Sequence, residues 1–292
     1  MSTATRLLPP IRPETEFAIA PVAAAPAGRA RSTLDRLREQ TWVRKGLILV
    51  VLAVLWEAAA RWQGNDLLLP TFGQTARAFV DGLIGGELLV RARASLAVLL
   101  QGYVLGVVGA FLLTSLAVST RLGRDLLSTL TAMFNPLPAI ALLPLALLWF
   151  GLGRGSLVFV LVHSVMWPLA LATFAGFQAV PETLRMAGRN YGLTGLRYVV
   201  RILVPSALPA ILSGLKIGWA FAWRTLIAAE LVFGVSSGQG GLGWYIFQNR
   251  NELYTDKVFA GLAMVILIGL AVEGVVFQTL ERVTVRRWGV QR

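Results

Sequence analysis

The sequence predicts an all-α membrane protein of about six transmembrane helices with both termini in the cytoplasm. Three observations carry this reading. Of 292 residues, 56% are hydrophobic and 14% charged, against about a quarter charged in soluble domains. Charge is absent from residues 94–120, 126–153 and 155–181, each run longer than the roughly 20 apolar residues that cross a bilayer core as a helix. The basic residues, 27 against 15 acidic ones, sort by side of the membrane once the spans are drawn.

Residues 1–40 are rich in Ala, Pro and Arg without an apolar run near the start, the composition of a disordered tail rather than a cleaved signal peptide. Residues 32–43 form a weakly amphipathic segment of the kind that lies on a membrane surface. The membrane domain is expected over residues 41–288, followed by a short tail at 289–292. Its first span follows Arg44 and Lys45 over residues 46–60 and contains Glu57. A mixed segment over residues 61–93 holds Leu69-Pro70-Thr71 and a helical stretch at 74–89. The second, third and fourth spans cover residues 95–119, 126–150 and 157–179. The fifth and sixth cover 208–234 and 258–280.

Placing the N-terminus inside puts eighteen of the 27 Lys and Arg in cytoplasmic segments and seven outside, with Lys216 and Arg224 inside the fifth span. Positive-inside asymmetry therefore fixes both termini in the cytoplasm. The excess of +12 then marks orientation. It does not mark nucleic acid, for which interleaved aromatic and basic stretches, zinc ligands and a recognition helix are all missing. With no Cys, disulfides, thiol catalysis and sulfur-ligated metals are excluded.

The cytoplasmic stretch over residues 181–205 reads as two short helices with a tight corner. Pro181 suits a first helical position, Gly192 the residue past the helix end, and Thr194 the cap of a second helix that stops before Pro205. Leu184, Ala187, Gly188 and Tyr191 share one face, with small residues at its centre that permit close approach by another surface. Arg185 with Arg189, and Arg197 with Arg201, are like-charge i,i+4 pairs that call for negative charge outside the helices. Lipid headgroups or an acidic partner groove would supply it, and an ordinary positive-inside loop fits equally well.

Gly192 followed after nine residues by Ile202-Leu203-Val204-Pro205 resembles the cytoplasmic loop of permease subunits of binding-protein-dependent ATP-binding-cassette (ABC) importers. The family pattern there is Glu-Ala-Ala, three residues, Gly, nine residues, Ile-x-Leu-Pro. Met186, Ala187 and Gly188 stand at the Glu-Ala-Ala positions and Val204 at the Leu; the Glu is absent, and Glu182 lies one turn earlier. Leu69-Pro70, Pro136-Leu137-Pro138 through Leu145, Leu148-Trp149-Phe150-Gly151-Leu152-Gly153, Trp223-Arg224 through Glu230, and Gly240-Gly241-Leu242-Gly243 resemble the nitrate/sulfonate/taurine branch.

The resemblance implies a type I importer permease in the bacterial inner membrane, a transport subunit and not an enzyme. It implies a second, identical permease, two ATP-binding cassette subunits and a periplasmic solute-binding protein as partners, within a lipid bilayer. It also implies a coupling loop in which Glu182, Met186, Ala187, Gly188, Gly192, Leu193, Ile202 and Pro205 engage the ATPase, with Met186 to Leu193 carrying most of the contact. ATP and Mg belong to that partner, since this sequence has no phosphate-binding Gly-x4-Gly-Lys-Ser/Thr loop; the run Ser236-Ser237-Gly238-Gln239-Gly240-Gly241 lacks Lys and reads as an outer turn. The solute implied is a small anion such as a sulfonate, taurine or nitrate.

Ionisable residues inside spans are costly and face the bundle interior, a partner or water. Glu57, close to a span end and to Trp56 and Trp62, suits an interfacial role, and Lys216 suits snorkelling. Arg224 and Glu230 are six residues apart and point to different faces, so that one meets the pathway while the other holds the structure. Arg224 is either a site of anion passage or the partner of Glu273, and Trp223 beside it and Glu230 are candidate pathway residues with it. His163 is either a packing histidine or a pathway residue. Asn135-Pro136-Leu137-Pro138 must break the third span, lining the pathway or only kinking it, while Trp149, Trp167 and Trp244 read as interfacial belt residues. An ion-coupled secondary transporter would need paired broken helices, and only one break is visible. A membrane-embedded enzyme would need clustered His, Asp or Cys.

Overall fold

The computed structural model describes residues 40–233 and 240–286, and every regular element within them is helical. The expected tails at 1–40 (but for Gln40) and 289–292, most of the surface segment at 32–43 and residues 236–239 of the Gly-rich turn lie outside the described residues.

The elements are α1 (Thr41–Gln63), α2 (Phe72–Ile84), α3 (Glu87–Ser119), α4 (Arg121–Phe134), a 3-10 turn (Ala139–Leu142) running into α5 (Leu143–Phe150), and α6 (Arg154–Gln178). Then come α7 (Glu182–Asn190), the helical run α8 (Gly195–Ser206), α9 (Leu208–Phe233), α10 (Leu242–Asn251) and the run α11 (Thr255–Thr284). By length and composition α3, α6 and α11 cross a bilayer singly, and two bent pairs, α4 with α5 at 89° and α8 with α9 at 81°, raise the count to five. The remaining expected span, residues 46–60, falls within the 23-residue α1, which is not among these candidates. The chain divides into two units at Val54, inside α1. The first presents Leu47, Leu49, Leu52 and Val54 as an exposed apolar surface. The second begins at Leu55 and contains α2 to α11.

At the end of α1, Trp56 Nε1 donates to the Pro70 carbonyl at 3.0 Å. Glu57 accepts from Arg61 Nε at 2.8 Å and from the Gly73 amide at 3.2 Å, a carboxylate set against the first turn of α2, where the helix dipole favours it. Thr71 and Gln74 close a reciprocal capping box on the same turn. The expected helix at 74–89 is cut short: Gly86 takes a left-handed φ of 77°, accessible to glycine without a Cβ clash, and Glu87 opens a new helix. α3 is therefore longer than the expected second span. Arg91 rides on it, paired with Glu87 at 3.6 Å.

Thr120 caps α4 through the Gly123 amide at 2.9 Å. The helix stops at Phe134, where Pro136 and Pro138 lack the amides that would continue it, and the chain turns through 89° before α5. The break expected at residues 135–138 is present.

α6 is the central helix, packed along its length on α3 and on α9. Small residues set the spacing. A Cβ added at Gly106 of α3 would lie 2.7 Å from Val165 Cβ, and one at Gly214 of α9 would lie 2.8 Å from Ala172 Cβ. In lipid, where apolar side chains gain little by leaving the solvent, such close backbone approach is a main source of helix association. Tyr103 of α3 ties the third member in by donating to the Leu215 carbonyl of α9 at 3.0 Å. Lys216 does not simply snorkel, because its Nζ pairs with Glu281 of α11 at 2.8 Å.

Gly106→Leu is expected to destabilise the purified chain by at least the roughly 1–3 kcal/mol of an overpacked core, read as a lower thermal midpoint in detergent. An unchanged midpoint would contradict the close contact of α3 with α6.

Candidate functional site

Below the α4 break lies a cavity of about 290 Å³ lined by residues 134–140 together with His163, Ser164, Trp167 and Pro168 of α6 and Phe221, Arg224 and Thr225 of α9. Helical spacing puts each set on one face: 163, 164, 167 and 168 on α6, and 221, 224 and 225 on α9. Of the expected pathway residues, the fold brings together Asn135, Pro136, Pro138, His163 and Arg224.

Arg224 is exposed. Its Nε donates to the Ala220 carbonyl one turn back at 2.9 Å, and the guanidinium lies 5.3 Å from the centroid of the Phe221 ring. Among the described residues it forms no ion pair with Glu273, so that alternative is set aside. Nine residues from the outer end of α9, it sits about 14 Å along the helix, deep enough that an unpaired cation needs water or an anion beside it.

The aromatic residues form a box. Phe134 stacks on Trp167 with centroids 5.2 Å apart and planes at 16°, and meets His163 edge-on at 6.1 Å. Trp167, expected at the membrane interface, is instead 6% exposed inside the bundle. Both His163 ring nitrogens and Trp167 Nε1 are buried without a hydrogen-bond partner. Pro168, inside α6, withholds the amide that Ser164 C=O would receive, and the Ser164 and Thr225 hydroxyls stand 3.4 Å apart across the α6–α9 seam. Sequence reasoning missed Ser164, Pro168, Phe221 and Thr225; the signal available was Pro168 in mid-span and the shared helical face.

Trp223 and Glu230, also expected on the pathway, are not in this cavity. Trp223 is buried and its Nε1 donates to the Val265 carbonyl of α11 at 3.3 Å. Glu230, 2% exposed, accepts from Ser95 Oγ of α3 at 2.9 Å and from the Gly243 amide of α10 at 2.9 Å, while Ser95 Oγ accepts from the Leu242 amide at 2.9 Å. The carboxylate thus closes the free amides at the start of α10, where the helix dipole also favours it. A Cβ at Gly241 would overlap the carboxylate itself, and one at Gly243 would lie 2.6 Å from Glu230 Cβ. Glu230 and the Gly-Leu-Gly segment are one structural clasp.

The cytoplasmic segment folds as two helices about a corner at Gly192, φ 69°. Leu193 N bonds to Gly188 O at 3.0 Å and Gly192 N to Arg189 O at 2.9 Å, closing the last turn of α7. Pro181 precedes α7 as its cap rather than opening it. The second helix does not stop before Pro205. Pro205 cannot donate to the Arg201 carbonyl; a wider turn over Val199–Leu203, with Val204 N bonded to Val199 O, carries the helix through to Ser206.

Two expectations are corrected here. Gly188 is buried against Tyr198 and Ile202 of the chain's own α8, so the small centre of α7 seats the second helix rather than an outside surface. Arg185 is not a free cation, because its Nη2 donates to Phe177 O at 2.6 Å and its Nε to Val180 O at 3.1 Å, capping the last turn of α6. Ala187, Leu193, Ile202 and Pro205 are half-buried, while Glu182, Met186 and Gly192 are exposed. Tyr191 at 84% and Leu196 at 71%, with Leu184 and Val200, add an exposed apolar strip. Among the described residues no three His, Cys, Asp or Glu converge as metal ligands.

Residues 91–284 match the family model of the binding-protein-dependent transport system inner membrane component. The chain is 28% identical to the taurine transport system permease protein of Escherichia coli (strain K12) over 247 residues, 81% of this chain and 86% of that protein. It is 27% identical to the nitrate import permease protein of Synechocystis sp. (strain ATCC 27184 / PCC 6803 / Kazusa) over 254 residues, 84% and 90% of the two chains.

Glu230→Ala would strand the Gly243 amide and the Ser95 hydroxyl, at about 1–3 kcal/mol for each buried unpaired group, with Glu230→Gln losing less; thermal unfolding of the purified protein measures both. Arg185→Met removes two charge-assisted bonds worth roughly 1.5–3 kcal/mol each, and faster amide exchange in α7 and at the end of α6 is the expected signature.

Proposed function

This chain belongs to the binding-protein-dependent transport system inner membrane component family, and from that premise we propose that it forms the transmembrane pathway for a small anionic solute and couples it to ATP hydrolysis through residues 182–204. As a family member it is an inner-membrane transport subunit and not a catalytic enzyme; ATP hydrolysis takes place on a separate ATPase subunit, and a solute-binding protein belongs to the same system. The finer assembly proposed is two copies of this chain around a central pathway, two ATP-binding cassette subunits holding ATP and Mg, and a periplasmic solute-binding protein at the outer segments.

One observation carries the pathway reading: Arg224, an exposed cation without a carboxylate partner among the described residues, lines a cavity at bilayer depth. An arginine there lowers the barrier for an anion and raises it for a cation. The name of the nitrate relative agrees with an anionic cargo, and that of the taurine relative with one that carries a sulfonate group. For coupling, the support is the exposed strip Leu184, Met186, Tyr191, Leu196 and Val200. On a segment that positive-inside asymmetry places in the cytoplasm, such a strip fits a protein surface better than water.

Arg224→Gln is expected to abolish uptake in proteoliposomes while leaving co-purification of the ATPase intact. Failure of the mutant complex to assemble would mean a structural arginine instead. Deleting Gly192 removes the left-handed corner that sets the angle between α7 and α8, and is expected to leave ATP hydrolysis running without uptake. Coupled transport at the wild-type ratio in that mutant would sink the coupling assignment.

A further inference from the structure

Arg224 stands on the wall between two cavities, and what lines the second bears on how a bound anion leaves, an inference that rests on the pathway reading above. The second cavity, of about 570 Å³, lies between α9 and α11; it shares Phe221 and Arg224 with the first, and Glu273 of α11 lines it alone. Lys216 also reaches this lining, but its Nζ is already held by Glu281 at 2.8 Å. Arg224 and Glu273 are therefore opposite charges on one cavity wall, and no ion pair joins them in this structure.

Glu273 is the one charged residue between Lys257 and Glu281. Eleven residues from the inner end of α11, it sits about 16 Å along the helix, where an unpaired carboxylate is costly. Other carboxylates of the chain are held: Glu57 by Arg61 and the Gly73 amide, Glu230 by Ser95 and the Gly243 amide, Glu281 by Lys216. Glu273 is exposed and has no such partner among the described residues. The backbone at this point is also irregular. The turn over Val272–Phe277 is wide, with the Gln278 amide bonded to the Glu273 carbonyl five residues back, and wide turns inside α-helices are frequent at functional sites.

A transport site must hold its solute firmly enough to admit it and loosely enough to let it go. The terminal nitrogens of Arg224 have no bond among the described residues and are free to grip an anion in bidentate fashion, so the site needs something that loosens the grip. We propose that Glu273 supplies it: its carboxylate competes with the bound anion for the Arg224 guanidinium across the shared cavity and so promotes release. Arg224 lines both cavities, and the exchange is a change of rotamer, which exposed side chains make within nanoseconds.

The test uses the full chain co-purified with its ATPase in phosphatidylcholine nanodiscs, without the solute-binding protein. Binding of nitrate and of ethanesulfonate, monoanions with no ammonium to pair with Glu273, is measured by equilibrium dialysis, and Arg224→Gln identifies the binding that depends on the arginine. That binding is expected to tighten about tenfold in Glu273→Gln, where the competing charge is gone, while Glu273→Asp, which keeps the charge, stays close to the wild type. Unchanged or weaker binding in an intact Glu273→Gln complex would overturn the release role and leave the pathway reading standing. Failure of the Glu273→Gln complex to assemble would overturn it too, by making Glu273 a structural carboxylate. Absence of Arg224-dependent binding for both anions in an intact complex would overturn the pathway reading itself, and this inference with it.

Discussion

A backbone amide or carbonyl inside a bilayer that finds no partner in the protein finds none at all, and this constraint organises the structure at every point where a helix ends or breaks. α6 ends under the guanidinium of Arg185, which takes the carbonyls of Phe177 and Val180. Its first turn is held by Ser156, whose hydroxyl reaches Ala146 O and Gly151 O at the end of α5. α10 begins on Glu230 and Ser95. Where side chains do not supply a partner, the break at residues 135–138 and the proline in α6 open onto the cavity, the one setting in which such groups meet water or solute.

Arg224 and Glu230 illustrate how the same helix assigns opposite roles to two charges. Six residues separate them, so they leave α9 on different faces. Glu230 enters the contact with α3 and α10, where two donors surround it; Arg224 emerges beside the α4 break with only the Ala220 carbonyl of its own turn. Burial of a charge is tolerable when it is fully hydrogen-bonded and costly otherwise. The clasped carboxylate is therefore architecture, and the open guanidinium is left available for an anion.

Much of this was legible in the sequence because its signals are local. Charge-free runs located the spans, the Pro136–Pro138 pair located the break, and Gly192 located the corner, each reporting on a backbone donor or dihedral within a few residues. The cavity residues Asn135, His163 and Arg224 were visible as polar groups in apolar runs. What sequence could not resolve was direction. Gly188, Arg185 and Glu230 were recognisable as special, yet whether each faced outward or inward depends on residues far along the chain: Tyr198 and Ile202 over Gly188, the end of α6 over Arg185, and Ser95, 135 positions away, over Glu230. The glycines of α3 and α9 were equally hard to read, since their purpose is the approach of α6.

The placement of α6 then links the two candidate regions through one rod. About 37 Å long at 1.5 Å per residue, it carries His163, Ser164 and Trp167 against the cavity in its middle and is gripped by α7 through Arg185 at its cytoplasmic end. In the proposed cycle a partner docked on the exposed strip of α7 and α8 pulls on that grip. Because α6 is packed closely on α3 and α9 by small residues, it has little freedom to bend between the two points. Displacement at α7 therefore reaches the cavity wall as movement of the whole helix, with the break at residues 135–138 as the place where the wall can give.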